Sequence, residues 1–289
     1  MKELKSKVAV ITGGAGGFGL GIAQQAVVEG MKVLIADVRP EALHEVENEL
    51  TAAGGEVRSM CVDVRQAEQM EALAEMAVKA FGRVNLIFNN AGVFASGVAW
   101  ETSIEVYRWV IDTNLMSVIY GIKSFVPRMI AQGDECHVVN VASGAGLMAG
   151  AGYCTYSATK HAVLALSECL YQDLVTRHVS NIGVTVVMPG YIRTDVMNPD
   201  KSAPTESVAK ELAARRSEPA SRATEKLMRQ GVETGMPAAR AAELVFDAIR
   251  NDDLYALPNA EPFLPFAKVV ADGRVSARSP YLTSEWING

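Results

Sequence analysis

The sequence is poor in cysteine and histidine, with four residues of each type, and neither type is clustered. The cysteines are Cys61, Cys136, Cys154 and Cys169. They form no CxxC pair, so their spacing predicts neither a zinc site nor a disulfide framework. The histidines are scattered in the same way, at His44, His137, His161 and His178. We therefore expect reduced thiols and no bound metal.

Long hydrophobic runs and an excess of basic charge are also absent. Apolar stretches are broken within about ten residues, whereas a membrane-spanning helix needs about 20. There are 27 Lys and Arg against 33 Asp and Glu, a net charge of −6, and no basic cluster indicates a nucleic-acid partner. Residues 1–7 lack the apolar segment of a secretory signal. We expect a cytoplasmic protein that binds neither nucleic acid nor membrane.

The 289 residues include 49% hydrophobic and 21% charged side chains, which is typical of a globular protein with a sizeable core. Segments with strand and helix patterns alternate along the chain. The predicted strands are 7–12, 33–36, 57–62, 84–88, 137–141 and 182–187, and the predicted helices are 20–28, 40–53, 66–81, 104–131 (interrupted near Asn114) and 156–177. This alternation indicates an α/β fold, a Rossmann-type doubly wound parallel sheet with helices on both faces.

The alternation weakens after residue 190. Residues 195–235 are polar, rich in alanine and interrupted by prolines, which we interpret as a helical substrate lid. A helix over 238–250, a short strand over 254–257 and a helix over 262–271 follow. We predict a single domain over 1–289, with a core at 5–190, the lid at 191–236, and a C-terminal helix and tail at 237–289.

A glycine-rich segment, Thr12 to Gly19, lies between the first strand and the first helix. In this position glycines allow a tight turn and let a pyrophosphate approach the helix N-terminus, although a plain structural turn is the alternative. Asp37 ends the second strand, 18 residues after Gly19, near the offset of about 20 at which a carboxylate meets the adenosine ribose. Asp37 favours NAD over NADP, while Arg39 leaves NADP open.

Tyr156 and Lys160 are four residues apart on a predicted helix, and therefore lie on one face. A nearby cation stabilises a phenolate, so Lys160 would make Tyr156 usable as a base near neutral pH. A surface pair is the alternative. Ser143 follows the 137–141 strand and adds a hydroxyl at the carboxyl edge of the sheet, where open α/β folds bind ligands.

Together these motifs resemble the short-chain dehydrogenase/reductase family over residues 5–195. Residues 12–19 fit TGxxxGxG, residues 89–92 fit NNAG, and the further motif positions follow in the family's order: Asn114, Ser143, Tyr156, Lys160 and Pro189-Gly190. The resemblance implies that Tyr156 is the general acid/base and that Lys160 lowers its pKa and holds the nicotinamide ribose. It also implies that Ser143 polarises the substrate oxygen and that Asn114 anchors a water.

The resemblance extends to the cofactor and the assembly. It implies that Asp63 and Val64 meet the adenine, that residues 90–92 lie along the adenosine, and that Ile192 and Thr194 close over the carboxamide. The predicted cofactor-binding residues are Gly13, Gly17, Phe18, Gly19, Asp37, Asp63, Val64, Asn90, Ala91, Gly92, Tyr156, Lys160, Pro189, Gly190, Ile192 and Thr194. The resemblance also implies that helices near 104–131 and 153–178 pack against a second subunit, in a homodimer or homotetramer.

The predicted substrate is a small molecule, a bulky apolar secondary alcohol or its ketone. Small residues over 144–152 leave room beside Tyr156, and the predicted substrate-binding residues are Ser143, Met148, Tyr156 and Tyr191. Phe94, Trp100, Met188, Val196 and Met197 are either further pocket walls or core. The activity expected is that of an NAD-dependent dehydrogenase.

Three alternatives remain open at this point. They are an NADPH-dependent carbonyl or 3-oxoacyl reductase, a hydroxysteroid dehydrogenase, and a silent dinucleotide-binding protein. A weaker resemblance, over residues 114–133, the turn at 189–194 and the tail at 251–258, connects the chain with bacterial dehydrogenases of benzylic alcohols in aryl ethers.

Overall fold

Seven parallel strands form one sheet, and the winding of the chain reverses at its centre. The computed structural model describes residues 1–198, 203–215 and 219–277. The strands are β1 (Val8–Thr12), β2 (Lys32–Asp37), β3 (Glu56–Cys61), β4 (Leu86–Asn89), β5 (Cys136–Val141), β6 (Ile182–Val187), β7 (Ile192–Arg193), β8 (Met236–Pro237) and β9 (Tyr255–Ala256). Their order in the main sheet is β3-β2-β1-β4-β5-β6-β9, and every neighbouring pair is parallel. The predicted doubly wound sheet is confirmed.

Helices cover both faces of this sheet. The helices of the described residues are α1 (Gly17–Val28), α2 (Pro40–Ala52), α3 (Ala67–Phe81), α4 (Ile104–Ile111), α5 (Ser117–Gln132), α6 (Cys154–Thr176), α7 (Glu206–Arg215), α8 (Pro219–Glu233), α9 (Ala238–Asn251) and α10 (Leu264–Val275). Along β1, Ala9 and Ile11 face α1, α2 and α9, whereas Val10 faces α3, α5 and α6. Both faces are apolar because both are covered.

The predicted interruption near Asn114 is a widened turn and not a break. Helix α4 continues through a π turn, Asp112–Met116, directly into α5. Such π turns are frequent at functional sites because they redirect a side chain without ending the helix. Here the turn carries Asn114 into the interior, where its side chain is 1% exposed.

Two predicted helix starts are also shifted. Helix α1 begins at Gly17 and not at residue 20, and α6 begins at Cys154 and not at 156. Apolar periodicity becomes visible only after the first helical turn, which explains both differences.

The chain between β6 and α9 returns over the carboxyl ends of the strands. Strands β7 and β8 pair in parallel, and α7 and α8 lie between them in sequence. Val208 and Leu212 of α7 share a buried cluster with Val106 and Val110 of α4. Pro199 in the predicted lid lies outside the described residues. In the described part, no helix combines the length and apolar character needed to cross a membrane.

Candidate active site

A cleft of about 310 Å³ opens at the carboxyl end of the parallel strands. Its walls come from the turns that follow β1, β2, β3, β4, β5 and β6. The strand order reverses between β1 and β4, because β2 and β3 lie on one side of β1 whereas β4, β5 and β6 lie on the other. Doubly wound folds bind their ligands at this reversal point. The cleft is also within the size range of small-molecule sites, which starts at about 300 Å³.

The glycine turn after β1 forms one end of the cleft. Gly13 and Gly17 have φ angles of +65° and +53°, in the left-handed region that favours glycine. A Cβ on Gly19 would collide with the carbonyl oxygen of Gly13, so the turn packs directly on the start of α1. No side chain caps this helix, and its first N–H groups are free to bind an anionic group such as a pyrophosphate.

Thr12 joins the glycine turn to the NNAG segment. Its Oγ accepts hydrogen bonds from the backbone of Asn90 at 3.0 Å and of Ala91 at 3.1 Å, and donates to Phe88 O. The Asn90 amide donates in turn to Thr12 O at 2.8 Å. These bonds hold residues 90–92 against the glycine turn, so both segments line the same stretch of the cleft.

Asp37 is nearly buried, with 7% of its surface exposed, and both of its oxygens are engaged. Arg39 donates to it through Nε at 2.9 Å and Nη2 at 3.1 Å, and the backbone of Ala15 donates at 3.3 Å. Hydrogen bonding to Asp37 raises the pKa of Arg39. The end of the cleft near β2 therefore presents a carboxylate already paired with a guanidinium.

The same arrangement recurs after β3. Arg65 donates to Asp63 through Nε at 2.9 Å and Nη2 at 2.7 Å. Burial acts to raise the pKa of Asp63, but the hydrogen bonds from Arg65 outweigh it and hold that pKa below its usual value. The sequence prediction missed both chelated pairs, although a repeated Asp-Val-Arg at 37–39 and 63–65 signals them.

Tyr156 and Lys160 lie one turn apart on α6, with Lys160 Nζ 5.6 Å from the centre of the Tyr156 ring. Lys160 is 3% exposed and its ammonium donates to Val141 O at 2.8 Å. Burial lowers the pKa of Lys160 to about 8. Burial also raises the pKa of Tyr156, while the Ser143 hydroxyl acts in the opposite direction. At neutral pH the pair is therefore a phenol beside an ammonium.

Ser143 and a phenylalanine complete the surroundings of the phenol. Ser143 is extended and its Oγ accepts a hydrogen bond from Ala145 N at 3.2 Å, which caps a short 3₁₀ turn, Gly144–Gly146. The edge of Phe94 meets the Tyr156 ring at a centroid distance of 5.2 Å and an angle of 67°. These contacts fix the ring while Ser143 and Tyr156 both face the cleft.

Asn114 lies behind the cleft and does not line it. Its Oδ1 accepts from Val93 N at 2.8 Å, and its Nδ2 donates to Val93 O at 2.9 Å and to Thr159 Oγ at 3.2 Å. A Cβ on Gly92 would lie 3.4 Å from Asn114 Oδ1 and 3.5 Å from Lys160 Nζ. The side chain thus braces the segment after β4 close to Lys160, and its predicted water-anchoring role stays a prediction.

Most of the predicted site residues line the cleft, and two of them do not. Apart from Asn114 and Met148, the cleft walls contain every predicted catalytic, cofactor-binding and substrate-binding residue. Met148 follows the 3₁₀ turn and is half-buried, and its predicted contact with the substrate stays a prediction. Trp100 is 85% exposed, so it is no wall of the cleft.

The apolar part of the cleft includes residues that the sequence prediction missed. Trp109 comes from α4, while Met228 and Val232 come from α8. Met228 and Val232 are four residues apart and therefore share a helix face. This spacing indicates a common apolar surface once α8 is recognised as a helix. Among the described residues, no three His, Cys, Asp or Glu side chains converge on a possible metal position.

Comparisons with known proteins show the family and the fold of the chain. The family model described as short chain dehydrogenase matches residues 7–205. A short chain dehydrogenase/reductase from Burkholderia phymatum, solved in complex with NAD, is 36% identical, with a TM-score of 0.91 over 97% of this chain and 98% of that chain.

Two curated relatives match at a similar level. The 1-deoxy-11-beta-hydroxypentalenate dehydrogenase of Streptomyces exfoliatus is 31% identical over 90% of this chain and 85% of the relative. The C alpha-dehydrogenase of a Sphingobium species is 32% identical over 90% and 83%. The chain therefore belongs to the short-chain dehydrogenase/reductase family.

Proposed function

We propose that the protein is an NAD-dependent dehydrogenase that interconverts a bulky, apolar secondary alcohol and its ketone. The observation that carries this proposal is the Tyr156–Lys160 pair beside Ser143, in the same cleft as the glycine turn. Hydride exchange at a carbinol carbon requires a group that handles the proton and a binding site for the nicotinamide cofactor. The dehydrogenases among the relatives support the general reaction, oxidation of an alcohol.

The nicotinamide supplies the hydride acceptor when it is bound, and the protein handles the proton. In alcohol oxidation, the Tyr156 oxygen takes the hydroxyl proton of the substrate as the carbinol hydrogen leaves as hydride. This role needs the phenolate, whose charge the nearby ammonium of Lys160 stabilises. Ser143 donates a hydrogen bond to the substrate oxygen and orients it. In ketone reduction, Tyr156 returns the proton.

The proposed preference for NAD rests on Asp37. A carboxylate accepts hydrogen bonds from the ribose diol and repels the 2′-phosphate of NADP. The NAD complex of the Burkholderia relative supports this choice. Arg39 is the specific observation that favours the alternative, an NADPH-dependent carbonyl or 3-oxoacyl reductase, because its guanidinium could turn from Asp37 to a phosphate.

The proposed substrate class rests on the walls beside Tyr156. Tyr191, Met228 and Val232 line the cleft and belong to the same hydrophobic cluster as Tyr156, and a wall of large apolar side chains favours an aromatic or polycyclic alcohol. The relative that acts on hydroxypentalenate supports a bulky substrate. Helices α7 and α8 would then act as the lid over it, and a hydroxysteroid fits the same description.

The test is the formation of reduced nicotinamide from aryl, polycyclic and small secondary alcohols, each with NAD and with NADP. We expect turnover with NAD and the bulky alcohols, and a loss of at least about 100-fold in Tyr156→Phe. Binding of NADH without turnover of any alcohol would overturn the dehydrogenase proposal in favour of a silent binder. Preference for NADPH would overturn the cofactor assignment.

The predicted homodimer or homotetramer is part of the same proposal. Light scattering of the purified protein measures its mass directly, and a monomer at micromolar concentration would contradict it.

A further inference from the structure

The chain segment 256–263 lies along the outside of the candidate active site. Two backbone hydrogen bonds connect it to the end of β6, from Met188 N to Ala256 O at 2.7 Å and from Gly190 N to Pro258 O at 3.0 Å. The inner side of the same β6 segment is bonded to the turn after β5, since Gly144 N donates to Pro189 O at 2.9 Å. Three stretches of backbone are therefore tied side by side at the edge of the cleft.

Asn259 adds a side-chain bond to this arrangement. It has a φ angle of +57°, a conformation that Asn tolerates better than most residues, and its Nδ2 donates to Tyr191 O at 2.7 Å. The same carbonyl accepts from Met236 N at 3.0 Å. The carbonyl oxygen of Tyr191, directly before β7, thus accepts hydrogen bonds from both the start of β8 and the segment 256–263.

Tyr191 connects this junction to the substrate side of the cleft. Its ring packs against α8, where a Cβ on Gly231 would lie 2.6 Å from the ring, and the residue lines the cleft beside Met228 and Val232. A shift of its backbone would move the ring relative to α8. The position of the Tyr191 carbonyl therefore determines the shape of the apolar wall.

Phe263 makes a parallel contact with the turn that carries Ser143. A Cβ on Gly144 would lie 2.6 Å from the Phe263 ring, so the ring packs directly against the backbone next to the Ser143 hydroxyl. A Cβ on Gly190 would collide with Asn259 O. Two glycines at the cleft edge thus allow the C-terminal segment to approach the chain that forms the site.

We propose that Asn259, assisted by Phe263, is a positioning residue for the reaction. It holds the Tyr191 carbonyl, and with it the apolar wall and the Pro189–Gly190 backbone, in the geometry that a secondary alcohol needs. Neither Asn259 nor Phe263 lines the cleft, whereas the residues that they contact either line it or lie directly beside Ser143. The kinetic part of this inference rests on the proposed function.

The structure offers a matched control at another part of the sheet. Asn181 is also half-buried, and its Nδ2 also donates to backbone oxygens, Met129 O at 3.1 Å and Asp134 O at 2.8 Å. It lies just before the start of β6, whereas Asn259 lies beside the other end of that strand. Loss of either amide removes a side-chain to backbone bond, but only one of them adjoins the cleft.

The experiment compares Asn259→Gly and Asn259→Asp with Asn181→Ala. Glycine and aspartate both accept a positive φ, so these variants remove the donor without adding backbone strain. We expect both Asn259 variants to lose about tenfold in kcat/KM for the alcohol, the effect of about 1.4 kcal/mol. The affinity for NADH, measured by fluorescence, should change less than about twofold. Asn181→Ala should keep kcat/KM while its melting temperature falls.

Hydrogen exchange gives a second readout that needs no substrate. Amides of residues 188–194 should exchange faster in Asn259→Gly and remain unchanged in Asn181→Ala. Unchanged exchange in Asn259→Gly would overturn the positioning role even if no alcohol were turned over and the proposed function had failed. Faster exchange with an unaltered kcat/KM, in an enzyme that oxidises alcohols, would also overturn it.

Discussion

Acidification should destabilise the protein through His137, because this residue is buried in its neutral form. Its ring is fully enclosed, and Nε2 lies 2.8 Å from Thr185 Oγ. The Thr185 hydroxyl donates to Asp253 O at 2.8 Å, so it accepts the proton of His137 Nε2. His137 Nδ1 has no hydrogen-bond partner, and the nearest acid, Asp252, is exposed and 3.9 Å away.

The size of the effect follows from the pKa of the histidine in the two states. Burial, assisted by the Met1 ammonium, lowers the pKa of His137 to about 3 in the folded protein, against about 6.5 in the unfolded chain. The unfolded state binds the proton more tightly, so stability is lost as the pH falls from about 6.5 towards 3. Linkage gives a loss of about 2 kcal/mol between pH 7 and pH 5.

The assay is urea unfolding at pH 7, 6 and 5 for the wild type and for His137→Gln, whose amide nitrogen can take the place of Nε2. Other titrating groups contribute equally to both proteins and cancel in the difference. We expect the wild type to lose about 2 kcal/mol more than the variant between pH 7 and pH 5. Equal losses would refute the reasoning, since they would mean that His137 is charged in the folded state or is solvated.

Three further outcomes are expected from the site. Lys160→Met removes the cation beside a buried phenol, so alcohol oxidation should fall by at least about 100-fold at pH 7 and recover in part at higher pH; an unshifted pH profile would contradict this. Asp37→Ser should lower the ratio of kcat/KM for NAD to that for NADP by at least about tenfold, and an unchanged ratio would exclude Asp37 as the selector. Gly190→Ala should lower the melting temperature by several degrees, since its Cβ would meet the Asn259 carbonyl, and an unchanged melting temperature by calorimetry would contradict this.

Much of the fold can be predicted from the sequence because local patterns and tertiary packing agree. The run of β-branched residues in β1 is buried on both faces, and the alternation of strands with amphipathic helices leaves few topologies other than a doubly wound sheet. The glycine turn, Asp37 and the Tyr156–Lys160 spacing are short-range features. Their positions at strand and helix ends place them at one edge of the sheet, so the location of the candidate site can be predicted from the sequence alone.

Other features of the site cannot be predicted from local periodicity. The repeated Asp-Val-Arg indicates the pairing of Asp37 with Arg39, but nothing in the sequence indicates the π turn that buries Asn114. Met148 is close to Tyr156 in sequence, yet it is not among the residues that line the cleft. Trp109, Met228 and Val232 line the cleft although α4 and α8 are far apart in the chain. Local periodicity encodes neither side-chain direction nor long-range packing, so these features become visible only in the folded chain.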